Sequence, residues 1–98
     1  MPTLLSKSLV RDAISRLNGW SGDTAGIGRT ITLTSSEHND FTERVKVCSD
    51  AMNHRPEIHR VGDQTRVWLC TTTEGGITEY DIALAARINA IVRTVSRR

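Results

Sequence analysis

The stretch Asp50-Ala51-Met52-Asn53-His54-Arg55-Pro56 is where the chain turns from helix to strand, and its reading decides the fold. Upstream of it, Phe41, Val45, Cys48 and Met52 recur at the spacing of one apolar helix face. Proline has no backbone N–H and pushes the preceding residue out of the helical region, so a helix predicted over residues 39–53 must stop there. Ser35-Ser36-Glu37-His38-Asn39-Asp40 offers several N-caps for it. Downstream, residues 57–61 read as a short strand, Gly62-Asp63 as a turn, and residues 65–72 as a second strand. Period-two alternation puts Val67, Leu69 and Thr71 on one face of that strand, and Arg66, Trp68, Cys70 and Thr72 on the other. The same stretch sets a carboxylate and an imidazole four residues apart. If the helix runs through it, Asp50 and His54 share a face and are expected to meet at the helix C-terminus.

Working outward completes the order. Leu9, Val10, Ala13, Ile14 and Leu17 predict a helix over residues 6–17, stopped by Asn18-Gly19. Trp20 begins an extended region, Ser21-Gly22-Asp23 and Gly26 read as turn material, and residues 28–34 alternate as a strand. Gly75-Gly76 interrupts the chain before Thr78-x-x-Asp81, a capping-box pattern with Asp in the place of Glu. A last helix over residues 79–95 would bury Leu84, Ile88, Ile91 and Val95. The order α-β-β-α-β-β-α predicts an α+β domain in two layers, a four-stranded antiparallel sheet with three helices on one face, as a single domain over residues 1–98.

Bulk properties exclude several classes. With 98 residues, 38% hydrophobic and 24% charged, the chain supports one modest core, and a core that small gains from a homodimer or a dimer of dimers. A net charge of +2 with scattered basic residues argues against nucleic acid as a partner, and Arg97-Arg98 reads as a solvated tail. No apolar run is long enough for a membrane span and no leader pattern is seen, so a cytoplasmic location is expected. Cys48 and Cys70 lack metal-site spacing and read as buried free thiols. His38 and His59 form no ligand set with His54 and read as exposed, so neither metal nor cofactor is expected. Trp20 and Trp68 read as core or sheet-face residues.

Three blocks give the chain a resemblance to the pterin-4a-carbinolamine dehydratase family: Phe41-x-x-Arg44-Val45, Asp50-x-x-x-His54-Arg55-Pro56-Glu57, and Gly75-Gly76-Ile77-Thr78-x-x-Asp81-Ile82-x-Leu84-Ala85. The match runs from Trp20 to about Val92. The family pattern has an acid at position 50, histidines at 54, 55 and 72, and commonly an aromatic residue at 58. Here those positions hold Asp50, His54, Arg55, Thr72 and Ile58, so one histidine of three remains. The family reaction removes water from a 4a-hydroxytetrahydropterin, which needs one group to take a proton and another to give one. Histidine suits both tasks, whereas arginine stays protonated at working pH and threonine offers only a hydroxyl.

Two functions follow. The resemblance is strongest to a degenerate group of the family, associated with α-carboxysomes, that assists Rubisco assembly without catalysis. It implies a carboxysome-associated homodimer that holds the Rubisco large subunit. Arg55, Arg60 and Arg66 lie on or beside the predicted sheet and are the protein-binding candidates. The alternative is an active dehydratase with a reduced site, in which Asp50 and His54 are catalytic and Arg55 and Thr72 position the pterin. Against either role, His54 also reads as a helix-end cap, and Asp50 as a surface carboxylate paired with Arg55 or Arg44.

Overall fold

Alternating burial builds the sheet, and the helices lie on its apolar side. The computed structural model describes residues 3–96, so the Arg97-Arg98 tail lies outside the described residues. The elements are α1 (Lys7–Arg16), β1 (Ser21–Asp23), β2 (Gly26–Thr32), α2 (Ser35–Met52), β3 (Glu57–Val61), β4 (Gln64–Leu69) and α3 (Glu79–Ser96). All strand pairs are antiparallel and the sheet order is β1-β2-β4-β3. Ile27 and Ile31 on β2 and Thr65, Val67 and Leu69 on β4 point into the core. They meet Phe41 and Val45 of α2 and Leu84, Ala85, Ile88, Val92 and Val95 of α3, with Val10 of α1 in the same cluster. Each such large side chain contributes about 1.5–3 kcal/mol on full burial. The opposite sheet face, carrying Arg66, Trp68 and His59, stays uncovered.

Element limits shift from the sequence expectation for identifiable reasons. Helix α2 starts four residues earlier than expected. Thr34 is its N-cap, accepting from the Glu37 N–H at 3.2 Å while the Glu37 carboxylate accepts from the Thr34 N–H at 2.8 Å, a complete capping box. His38 therefore sits on a helix and is half-buried rather than exposed. Its Nδ1 lies 2.8 Å from Thr65 Oγ1, to which Arg60 also donates at 3.1 Å. Ser21-Gly22-Asp23 is strand β1 rather than a turn, paired with Gly26–Gly28 through a tight hairpin.

The α2 stripe follows Phe41, Val45 and Ser49, leaving Cys48 and Met52 half-buried. Cys48 faces the groove between α2 and α3, and Cys70 lies just past β4, so both free thiols are only partly covered. Ile91 of α3 is half-buried for the same reason as Cys48. Buried Asn89 of α3 accepts from Trp20 Nε1 at 2.7 Å and Arg29 Nη1 at 2.6 Å, and donates to Asn18 O at 3.3 Å. That one amide ties the α1–β1 connection, β2 and α3 together. Burial, with Arg93 nearby, lowers the Arg29 pKa from its ordinary value.

Candidate functional site

The C-terminus of α2 sets the geometry. Asn53 caps the helix in the left-handed conformation (φ 53°), which asparagine adopts more readily than most residues. The His54 N–H then donates to Ser49 O at 3.0 Å, closing the helix end. Past that cap the chain no longer follows the helical spiral. Asp50 and His54 therefore diverge, and the expected pair does not form. Asp50 instead lies 3.5 Å from Arg55, a pair with the Arg55 side chain 81% exposed. Such exposed pairs contribute little to stability.

His54 turns inward, towards the start of α3. Its Nε2 is 2.5 Å from Asp81 Oδ1, and Asp81 is fully buried. The other carboxylate oxygen, Oδ2, accepts from the Thr71 hydroxyl at 2.7 Å and from the Thr78 N–H at 2.8 Å. Because Thr71 spends its proton on Asp81, it accepts in turn from the Thr78 hydroxyl at 2.9 Å. Thr78 Oγ1 also accepts from the Tyr80 N–H at 3.3 Å. Every buried polar atom of this network has a partner, the condition under which such a network rigidifies a site. An ionised Asp81 can only accept, which assigns the ring proton of His54 to Nε2. Nδ1 then holds the free lone pair and has no hydrogen-bond partner among the described residues. A buried carboxylate that fixes the tautomer and direction of an imidazole is a recurrent way of preparing a general base.

His54 opens onto a cleft of about 290 Å³. Arg55 and Thr72 line it, as do Trp68, Cys70 and Glu57. Thr72 stands exposed in the turn after β4. Of the four residues proposed for a pterin site, three line this cleft: His54, Arg55 and Thr72. Asp50 lines an adjoining depression with Lys46 and Ser49, and Arg55 borders both.

The three arginines proposed for protein binding do not form one patch. Arg60 points to the helix side and is held by Thr65, while Arg66 projects from the open face. Strand alternation forces that split, because Arg60 pairs with Thr65 and Arg66 pairs with His59. Among the described residues no group of three His, Cys, Asp or Glu side chains could hold a metal ion. No helix there is long and apolar enough to cross a membrane.

Sequence reasoning missed Asp81 as a site residue. Its signal was present, since the Thr78-x-x-Asp81 pattern marked it as a cap. The carboxylate does cap, through the Thr78 N–H, but its second oxygen is free to hold His54. One residue thus closes the α3 N-terminus and orients the imidazole.

Comparison with known proteins gives the family and the fold. The model of the pterin 4 alpha carbinolamine dehydratase family matches residues 3–91. A relative from Nitrobacter hamburgensis, assigned by name to the pterin-4-alpha-carbinolamine dehydratases, is 37% identical over 95% of each chain. A transcriptional coactivator/pterin dehydratase from Brucella melitensis superposes with a TM-score of 0.86 at 28% identity, covering 91% of this chain and 98% of the other. A pterin dehydratase-like RuBisCO assembly factor of the alpha-carboxysome superposes with a TM-score of 0.58 at 20% identity, covering 74% of this chain and 84% of the other, a likeness of fold. With the α-β-β-α-β-β-α order, the His54 cleft and a family match over residues 3–91 in agreement, the chain belongs to the pterin-4a-carbinolamine dehydratase family.

Proposed function

We infer that the chain dehydrates a 4a-hydroxytetrahydropterin with His54 as its single acid/base. The observation that carries this reading is the buried Asp81 carboxylate on His54 Nε2. The reaction needs one proton taken from N5 and one delivered to the departing 4a-oxygen. A neutral His54 takes the N5 proton on Nδ1 as the N5–H electrons form the N5=C4a bond. The C4a–O bond breaks, and the imidazolium gives its proton to the leaving oxygen, which departs as water. His54 returns to its starting form, and the products are a quinonoid dihydropterin and water. Asp81 touches no substrate. It is a positioning residue that holds the tautomer and stabilises the transient imidazolium. Arg55 and Thr72, which line the cleft, are assigned to donate to the pterin ring, and neither transfers a proton.

This ordering reverses the sequence expectation, in which loss of two histidines put the assembly role first. Support for the reversal comes from His54 being held by a buried partner and from relatives that carry the dehydratase name. A stopped-flow assay with 4a-hydroxytetrahydropterin tests it. Turnover above the uncatalysed rate, lost about 10²–10⁴-fold in His54→Ala, is expected. Turnover indistinguishable from buffer in the wild-type chain refutes it.

A second reading, a non-catalytic assembly factor for Rubisco, is favoured by Arg55 and Thr72 at positions where the family pattern has histidines. On that reading Arg55→Glu lowers the yield of assembled Rubisco in coexpression and His54→Ala does not, scored on a native gel. Both readings take the chain as a homodimer or a dimer of dimers. Sedimentation as a 10.9 kDa species at micromolar concentration refutes that part of each.

A further inference from the structure

Resting on the dehydratase reading, we propose that Trp68 is the platform on which the pterin ring stacks beside His54. Trp68 lies on the open face of β4, opposite Gly28 of β2 on one side and Glu57 of β3 on the other. Its β2 neighbours on that face, Gly26 and Gly28, have no side chains. A Cβ added to Gly26 would stand 2.1 Å from Trp68 Cζ2, and one added to Gly28 would stand 3.0 Å from Cε3. The six-membered ring of the indole therefore rests across the backbone of β2 at the height where side chains would begin. One π-face is seated on the strand. The other is open, which accounts for the residue remaining 41% exposed.

An aromatic residue on an uncovered sheet face often does no more than pack across strands. Two observations separate Trp68 from that case. First, the paired glycines give the ring a flat seat in place of flanking side chains, so it packs by lying down. Second, Trp68 lines both the His54 cleft and the adjoining groove on the sheet face, which holds Arg66, His59 and Thr30. It is the surface shared by the two. A flat heterocycle laid on the outer π-face reaches towards His54 at one edge and extends its substituents over the groove at the other. Stacking on an aromatic side chain suits any planar heterocycle, and the planar pyrimidine half of a pterin supplies one. The cleft thereby divides its tasks: Trp68 binds the ring plane, and His54 acts at its edge.

The test uses 7,8-dihydrobiopterin, which cannot undergo the dehydration, with affinities measured by calorimetry on the wild-type chain, Trp68→Phe and Trp68→Leu. Trp68→Leu is expected to bind about five- to hundredfold more weakly, the range found for losing one aromatic stacking partner. Trp68→Phe keeps a π-face and is expected to recover most of the affinity. A measurement without any substitution runs alongside. Trp20 is buried with its Nε1 bonded to Asn89, so acrylamide quenching reports chiefly on Trp68. Dihydrobiopterin is expected to protect the wild-type emission from acrylamide. Equal affinity of the wild-type chain and a folded Trp68→Leu, or binding with no protection of the emission, overturns the platform and leaves the dehydratase reading standing. Wild-type emission already shielded from acrylamide without ligand overturns it too, since Trp68 is then covered by something else. Absence of any dihydrobiopterin binding also overturns it, and the turnover assay then decides the dehydratase reading separately.

Discussion

Asp81→Asn tests the core of the proposed chemistry, because it keeps the shape of the side chain and removes one acceptor. Asp81 accepts from three donors: His54 Nε2, the Thr71 hydroxyl and the Thr78 N–H. An amide has one acceptor oxygen, so its NH₂ must face one side of this network. If the NH₂ takes the Oδ2 position, it opposes a buried backbone N–H that has no other acceptor, at a cost of about 1–3 kcal/mol. If it takes the Oδ1 position, His54 can adapt by moving its ring proton to Nδ1 and accepting on Nε2. The second arrangement costs less and is the one expected. It also disarms the site, since the nitrogen facing the cleft becomes a donor and can no longer take the N5 proton.

Loss of the ionic character of three hydrogen bonds is expected to lower folding stability by about 1–3 kcal/mol, which leaves a typical domain folded. Turnover is expected to fall about 10²–10⁴-fold, equivalent to about 3–5.5 kcal/mol of transition-state stabilisation. Stopped-flow turnover, urea unfolding and the ¹⁵N shifts of the His54 ring read the three consequences apart. A variant that stays folded, keeps the wild-type tautomer and turns over within a few-fold of the wild-type rate refutes the assignment of Asp81 as the positioning residue.

The remaining predictions concern stability. Burial and the nearby Arg60 lower the His38 pKa below its ordinary 6.5, and Arg60 already donates to the Thr65 hydroxyl that bonds His38 Nδ1. The unfolded chain therefore binds the His38 proton first as pH falls. Stability on this account is complete above about pH 6.5 and declines as pH drops towards the depressed folded value, with the unfolded form gaining throughout that window. His38→Gln is expected to flatten that part of the urea-midpoint profile, and an unchanged slope refutes the coupling. Gly22 has φ 143°, and a Cβ there would lie 2.2 Å from the Gly26 backbone oxygen. Gly22→Ala is thus expected to cost about 1–3 kcal/mol by straining the β1–β2 hairpin, and a urea midpoint equal to that of the wild-type chain refutes it.

What the sequence determined by itself was the architecture. The stripe of Phe41 and Val45, the Pro56 stop and the alternation of Val67, Leu69 and Thr71 are local patterns, and each reports which side of its own element faces the core. The cleft residues His54, Arg55 and Thr72 were legible for a different reason, because short blocks of sequence match a family pattern.

Which groups touch was decided by tertiary structure. Helical spacing predicted Asp50 beside His54, but a single left-handed residue, Asn53, redirected the chain and gave His54 a partner 27 positions away, in another helix. Spacing rules hold only while the backbone keeps one period, and they fail at the first residue that leaves it. The same limit hid the second task of Asp81 behind its cap, and hid the seat of Trp68, whose glycines lie on a strand about forty residues earlier in the chain. Sequence reports what each residue can do, and the pairing of distant elements fixes what it does it to.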